Sequence, residues 1–362
     1  MQIEFLELQN YRNYDYLSAK FYKGCNIIYG ENGQGKTNIL ESIYMCAFGK
    51  SHKSSKEREM IKNGAEEAHV KAEFSSELNS HRVDIHLRKN KSKGMALDRV
   101  PMKRFGELYG NILVVMFSAE DLDIVRRSPS DRRKFIDLEL CQIDPIYVNN
   151  LINYNKLLEQ RRELFKQLEE KNDIHAFQDT LDLWDLQLCE FGSQIIKRRR
   201  EFIEELNDII FEIHYDITGG REKLKIVYEP SSDEEHFYED LLKNRERDQY
   251  YKQTYQGPHR DDLSFYDGNT DLKIYGSSGQ QRSCALSLKL SEISIIEKLK
   301  KEKPVLLLDD VLSELDRSRQ TQLIKSLKNI QTIITCTGMD EFIEEKIGEA
   351  HKMHIERGRI VN

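Results

Sequence analysis

No apolar run in this chain is long enough to cross a bilayer. The strongest, residues 112–117 and 305–308, fall far short of the roughly 20 residues that a spanning helix needs. Proline is scarce, with six in 362 residues, and no Pro/Gly/Ser-rich stretch marks a flexible linker. The six cysteines (Cys25, Cys46, Cys141, Cys189, Cys284 and Cys336) are scattered and form no C-x-x-C pair. Neither a cysteine metal site nor a disulfide framework is therefore expected. Residues 1–5 carry no basic or apolar signal segment, so the expectation is a reduced, cytoplasmic protein with no membrane partner. Positive charge is in the minority: Lys plus Arg is 55, Asp plus Glu is 62, and the formal net charge is −7. That balance excludes a protein that coats nucleic acid with its whole surface, though not one with a local basic groove. With 39% hydrophobic and 32% charged residues, the chain can bury a sizeable core, enough for roughly two domains.

The periodicity of the chain changes along its length. Residues 1–30 read as strands, ending in the apolar run Cys25-Asn26-Ile27-Ile28-Tyr29 at Gly30. A helix is expected over 37–48, with Ile39, Leu40, Ile43 and Tyr44 at helical spacing. Period-two alternation returns over 70–87, with a Lys-rich hairpin-like tip at 89–94. Residues 112–117 read as a buried strand, and 128–215 as almost wholly helical. Ser128-Pro129-Ser130-Asp131 supplies a capping serine, proline at the first helical position and an acid in the first turn. Trp184, Leu188, Phe191, Ile195, Phe202, Leu206, Ile209 and Ile213 mark one long amphipathic helix, expected to pair with the helix around 151–168 as an antiparallel hairpin. From 305 onward, buried strands alternate with helices. The fold class expected is α/β with a largely parallel sheet, a P-loop ATPase core carrying a helical second lobe. The domain reading is 1–120 for the N-terminal part of the core, 121–254 for the helical lobe and 255–362 for the rest of the core.

Gly30-Glu31-Asn32-Gly33-Gln34-Gly35-Lys36-Thr37 fits G-x-x-x-x-G-K-[ST] between a strand and a helix. Glycines let the backbone N–H groups wrap a phosphate, and the helix that follows adds its positive N-terminus. Lys36 is expected to reach the β- and γ-phosphates of ATP, and Thr37 to coordinate Mg²⁺. Such a loop needs a carboxylate at the end of a neighbouring buried strand, and Val305-Leu306-Leu307-Leu308-Asp309-Asp310 supplies it. Asp309 is the expected metal-side acid, and Asp310 the acid that orients or deprotonates the attacking water.

Ser277-Ser278-Gly279-Gln280-Gln281-Arg282 resembles the LSGGQQR signature of ATP-binding-cassette ATPases, with Gly276 in place of the Leu and Ser278 in place of the first Gly. In that family Ser277, Gly279 and Gln280 serve the γ-phosphate of the opposing subunit, which implies an ATP-dependent homodimer. Ser313-Glu314-Leu315-Asp316 is similar to the loop at the family's dimer contact. Asp310 stands where cassette ATPases usually carry Glu, and Thr335-Cys336-Thr337 where they often carry His. Slow hydrolysis is therefore expected, below about one turnover per second without a partner. No glutamine stands out for the lobe-connecting loop, whose candidate segment is 117–122.

Leu8-Gln9-Asn10-Tyr11-Arg12-Asn13-Tyr14 resembles the L-x-N-F-R-N-Y opening of the RecF family, relatives of the SMC ATPases. Phe117-Ser118-Ala119-Glu120-Asp121-Leu122, the segment 128–137 and Gly257-Pro258-His259-Arg260-Asp261-Asp262-Leu263 are similar to further RecF segments. The resemblance spans residues 8–337. It implies that Arg12 and Asn38 join residues 30–37 in binding nucleotide. It also implies recombinational repair of DNA gaps, replication maintenance and the SOS response. An ATP-bound dimer would engage DNA at single-strand/double-strand junctions and act with RecR and RecO to place RecA. A transporter's nucleotide-binding subunit is the rival reading, disfavoured by the missing His, the helical insertion and the RecF-like segments. A small-molecule kinase has no use for a second phosphate site.

Residues 50–104 hold 14 Lys/Arg against 8 Asp/Glu, so the acidic total conceals a local basic excess. Lys53 follows the P-loop helix, Lys89, Lys91 and Lys93 lie at the hairpin tip, and Arg132 and Arg133 form another cluster with Arg126, Arg127 and Lys134. These are the candidate DNA contacts, as are residues 197–200, because phosphate binding of this kind gives affinity without sequence reading. For Gly257 to Leu263 two readings stay open: a metal site using His259, Asp261 and Asp262, or a turn held by side-chain hydrogen bonds.

Overall fold

A computed structural model of the chain describes every residue except 54–55, 78, 168–173, 339–344 and 362. The first strands are β1 (Gln2–Tyr11), β2 (Tyr14–Lys20) and β3 (Cys25–Tyr29), followed by helix α1 (Lys36–Phe48). Next come β4 (Glu67–Ser75), β5 (Ser80–Arg88), β6 (Gly94–Leu97), β7 (Val100–Pro101) and β8 (Val114–Ser118). A helical stretch holds α2 (Pro129–Ile143), α3 (Pro145–Gln167) and α4 (Ile174–Thr218). After it lie β9 (Leu224–Glu229), α5 (Phe237–Lys243), α6 (Arg245–Tyr251), β10 (Asp262–Asp267), β11 (Thr270–Asp271) and α7 (Ser278–Lys300). The chain closes with β12 (Val305–Asp309), α8 (Val311–Glu314), α9 (Arg317–Ser326), β13 (Thr332–Cys336), β14 (Ala350–Glu356) and β15 (Arg359–Val361).

These elements form two units, one of Met1–Asp123 with Ala285–Asn362, the other of Ile124–Cys284. The sequence reading had placed 255–284 with the ATPase core. The structure groups them with the helical unit instead, because β10 pairs with β9 and the turn before it is anchored on α3 and α4.

The first unit contains two sheets. One has the order β15-β14-β3-β13-β12-β8, with every pairing from β14 to β8 parallel. Its strands are apolar on both faces (Ile27, Ile28, Val114, Val115, Leu306, Leu307, Ile333 and Ile334 are all buried), as expected of a covered parallel sheet. The other sheet, β2-β1-β4-β5-β6-β7, is antiparallel throughout, an architecture the expected parallel fold did not include. Its strands alternate, with Val70, Ala72, Val83 and Ile85 buried and polar residues on the opposite face. Helix α1 touches strands of both sheets. That explains why it is buried almost all round, including Leu40, Ile43 and Met45.

In the second unit, Ser128 caps α2 as expected, its side chain accepting from Asp131 N while the Asp131 carboxylate accepts from Ser128 N. Helices α3 and α4 run antiparallel. The contacts Asn150–Gln194, Arg161–Asp185 and Phe165–Phe177 step forward along one helix and backward along the other. The buried stripe of α4 includes Leu181, Leu188, Ile195, Phe202 and Leu206, yet it also carries Asp185, Arg199 and His214. Asp185 and Arg199 join an ion-pair network, while His214 bonds Glu222. Arg161 bonds Asp185 and Asp248, and Arg199 bonds Asp137 and Asp261.

The segment Gly257 to Leu263 is the knot of this network, and it forms a turn rather than a metal site. Gly257 has φ 119, and a Cβ there would lie 2.3 Å from the Tyr154 hydroxyl, so only glycine fits. Pro258 O accepts from Arg199, His259 Nδ1 bonds the Tyr154 hydroxyl, and Asp261 accepts from Arg199, Tyr228 and Ser231 N. Asp262 takes both arms of Arg132. Burial pushes the His259 imidazole down to about 4, so it is neutral at physiological pH.

Candidate functional site

In the first unit, β3 delivers residues 30–37 to the end of the parallel sheet, and α1 begins at Lys36. The crest of the loop, Glu31, Asn32 and Gly33, is exposed. Lys36 folds back beneath it, donating to Gly30 O at 2.8 Å and Glu31 O at 2.9 Å. Gly35 has φ 113, and a Cβ there would lie 2.6 Å from the Asn13 amide and 2.7 Å from the Tyr14 hydroxyl. Those two side chains hold the loop from outside. The Tyr14 hydroxyl donates to Gly35 O at 3.0 Å, and Asn13 Nδ2 donates to Gln34 O at 2.8 Å. Asn38 donates to Asn13 Oδ1 at 2.8 Å, and Gln34 Oε1 accepts from Arg357 N. The role of Asn13 and Tyr14 as loop supports was not read from the sequence, although the opening motif contains both.

The Asp-Asp strand meets the loop as expected. Asp309 lies in register with Thr335 of β13 and Ser118 of β8. Its Oδ1 accepts from the Thr37 hydroxyl at 2.7 Å and from Thr335 at 2.9 Å. Its Oδ2 lies 3.1 Å from the Lys53 ammonium, so this spot already receives a positive charge. A hydroxyl and a carboxylate converging there form a donor set of hard oxygens, which suits Mg²⁺. Asp310, at φ 54, caps α8 with its backbone N donating to Thr335 Oγ1. Burial and then the neighbouring Asp309 charge raise its pKa, while Lys36 and Lys53 oppose the rise. The Thr335 hydroxyl therefore links the Asp309 carboxylate to the Asp310 backbone N–H. In the candidate connecting segment, the Asp121 carboxylate accepts from the backbone N and hydroxyl of Ser118.

Arg12 does not point at the loop crest. Its guanidinium takes Glu41 of α1 bidentately and also donates to Glu59 O. Glu41 accepts from Tyr11 and Ser51 as well. Burial works to raise the Glu41 pKa, but the hydrogen bonds from Arg12 and Ser51 outweigh it and hold the carboxyl below its usual range. This buried anion ties the opening motif to the segment carrying Lys53. His52 between them is half-buried, its two ring nitrogens out of solvent without a hydrogen bond, and burial lowers its pKa.

In the second unit, Ser277 and Gln280 cap each other at the start of α7. Gln280 N donates to Ser277 Oγ at 3.2 Å, and Ser277 N donates to Gln280 Oε1 at 3.0 Å. Ser277 thus immediately precedes, and Gly279 and Gln280 lie on, the first turn of a 23-residue helix, where backbone N–H groups favour an anion. Gly276, the departure from the signature pattern, is explained by crowding: a Cβ there would lie 2.4 Å from Leu272 O.

The candidate DNA contacts separate sharply. Arg132 is fully buried on Asp262, and Arg133 is half-buried, donating to Asp261 O. A guanidinium committed to an internal acceptor is less available to phosphate than the sequence reading expects, which counts against Arg132 above all. Lys93 is likewise tied down: its side chain is 8% exposed and staples the hairpin tip to Glu57 and Gly49 O. Lys53 is held by Asp309. Within residues 197–200, Arg199 is buried, while Arg198 and Arg200 pair with Asp144 and Glu234. Of the tip lysines, Lys91 is exposed and Lys89 pairs with Glu66 across an open surface.

A family model described as the RecF/RecN/SMC N terminal domain matches residues 2–358. The chain is 52% identical over 347 residues to the DNA replication and repair protein RecF of Lachnoclostridium phytofermentans, with 96% of each covered. Against the protein of that name from Agathobacter rectalis, identity is 51% over 360 residues, covering 99% of both. A solved structure described as the recombination mediator protein RecF-ATP in the RecFOR pathway is similar at TM-score 0.90 and 34% identity. It covers 99% of this chain and 96% of its own. No helix among the described residues is long and apolar enough to cross a membrane.

Proposed function

Since this chain belongs to the RecF branch of the RecF/RecN/SMC family, we propose that it is an ATP-controlled DNA-binding switch for the repair of DNA gaps, acting in the cytoplasm. The loop N–H groups and Lys36 take the phosphates of ATP, and Thr37 with Asp309 holds Mg²⁺. When bound, the cation neutralises charge on the β- and γ-phosphates. Asp310 orients the attacking water and accepts its proton. Ser277, Gly279 and Gln280 serve the nucleotide of a second copy, so each chain is monomeric or weakly associated until ATP draws two together. Hydrolysis is slow and resets the switch. The observation that carries this reading is the 2.7 Å contact between Thr37 and Asp309, which assembles a metal-ready pair from residues 272 positions apart.

The closed dimer engages single-stranded DNA and its junctions with duplex, and works with RecR and RecO in placing RecA, with consequences for replication and the SOS response. Fluorescence anisotropy with a junction oligonucleotide tests the switch: binding should tighten on adding ATP and Mg²⁺, and equal binding without nucleotide contradicts it. Lys89→Glu with Lys91→Glu is expected to weaken duplex binding and reduce its salt slope by about 1–2, since each phosphate contact contributes roughly one. Lys93 is left intact because its loss would loosen the tip itself. An unchanged salt slope removes the tip from the DNA path.

A further inference from the structure

The antiparallel sheet of the first unit turns one face of β4 and β5 outward, and its residues pair across the strands in a regular way. Glu67 lies opposite Arg88, Lys71 opposite Asp84 and Glu73 opposite Arg82, each a pairing of opposite charge, which favours an antiparallel ladder. The exception is His69 opposite His86. Two imidazoles face each other where every neighbouring row places an acid against a base. Their rings stack with centroids 4.1 Å apart and planes inclined by 21°. Glu67 also departs from the pattern. Its Oε2 lies 2.8 Å from His86 Nε2 and its Oε1 3.8 Å from His69 Nε2, while Arg88 donates to Ser92 O.

We propose that Glu67, His69 and His86 form a binding site for a divalent transition metal of the zinc type, clamping β4 to β5. The three ligand atoms lie within 4.8 Å of one another. Zinc bonds of about 2.0–2.2 Å place tetrahedral ligand atoms roughly 3.3 Å apart. The observed separations, 2.8 Å from His86 to one Glu67 oxygen and 3.8 Å from His69 to the other, are near that spacing, so side-chain rotations that tilt the stacked imidazoles toward the carboxylate would close the site. Two neutral imidazoles and one carboxylate suit zinc, copper or nickel, and they do not suit Mg²⁺, which prefers oxygen. The nucleotide's cation therefore does not compete for it.

The surroundings leave a fourth position open. In the row of His69 and His86 the flanking residues are Gln9 on β1 and Gly94 on β6, and Gly94 adds no side chain of its own to that row. A shallow cavity of about 380 Å³ runs along this face, lined by both histidines, Gln9, Gly94 and Met95, with room for a water on the metal.

Titration of Zn²⁺ into the full nucleotide-free chain in Mg²⁺-containing buffer, followed calorimetrically, tests the site. One zinc per chain should bind through these residues. His69→Ala with His86→Ala should abolish that zinc binding while the zinc-free chain still unfolds in one cooperative transition, shifted by no more than the loss of one cross-strand pair. Glu67→Gln, which keeps the shape of the side chain, should weaken binding by about tenfold or more. A wild-type chain that takes up no zinc overturns the proposal, and so does either variant binding zinc as tightly as the wild type.

Discussion

Replacing Asp310 with Asn should lower ATP hydrolysis by about 100-fold or more while ATP-dependent DNA binding survives. The magnitude is that of a lost general base, and the structure gives the reason for assigning the role to Asp310. Burial and the charge of Asp309 raise the proton affinity of this carboxylate, which improves it as a proton acceptor near neutral pH. The metal-side contact to Thr37 is made by Asp309 alone, so changing Asp310 leaves that contact standing. The residue sits at φ 54, a left-handed conformation that Asn adopts almost as readily as Asp. The substitution therefore removes the charge without straining the turn into α8. Single-turnover hydrolysis and oligonucleotide anisotropy on the same sample separate the outcomes. Unchanged hydrolysis would remove Asp310 from the water's position. Loss of ATP-dependent DNA binding would mean an obligate motor rather than a switch.

Two adjacent arginines on α4 should differ in effect by several kcal/mol. Arg199 is buried and bonded to Asp137, Asp261, the Tyr147 hydroxyl and Pro258 O. Arg199→Ala leaves the buried Asp261 carboxylate, itself 1% exposed, with its Tyr228 and Ser231 hydrogen bonds but without its cation, and should cost about 3–5 kcal/mol, the range for breaking a buried pair from one side. Arg198 is partly exposed on Asp144 and Glu205, and Arg198→Ala should cost less than about 1 kcal/mol. Urea unfolding of both variants, followed through the transition of the helical unit, measures the difference. Equal effects would show that the network around Gly257 to Leu263 does not carry the stability of that unit.

The parts of this fold legible in the sequence are those set by neighbours along the chain. The P-loop, the cap at Ser128 and the amphipathic stripe of α4 follow from local spacing; the first two form at the residues read, and of the stripe Leu188, Ile195, Phe202 and Leu206 are buried while Trp184, Phe191, Ile209 and Ile213 are partly buried. The apolar run ending in Asp309 also reads directly as a strand carrying its acid at the end. What escaped the sequence depends on partners far away. Arg132 looks like a surface cation until Asp262, 130 residues on, buries it. Lys93 looks like a hairpin tip until Glu57 and Gly49 O take its ammonium. Helices α5 and α6 lie in a charged stretch without strong periodicity, and Phe237 and Leu241 with the ion-paired Asp248 are what anchor them. The motif Gly257 to Leu263 resembled a family segment without a derivable role, because its partners come from α2, α3 and α4.

The central claim is that one chain cannot complete its own nucleotide site and that ATP brings two chains together. Sedimentation velocity of the full chain, with and without ATP and Mg²⁺, measures this directly, with Lys36→Ala as the variant deprived of its phosphate-binding lysine. The account predicts a monomer or weak association without nucleotide, a dimer with ATP and Mg²⁺, and no shift for Lys36→Ala. A chain that binds ATP yet sediments as a monomer under both conditions would contradict it.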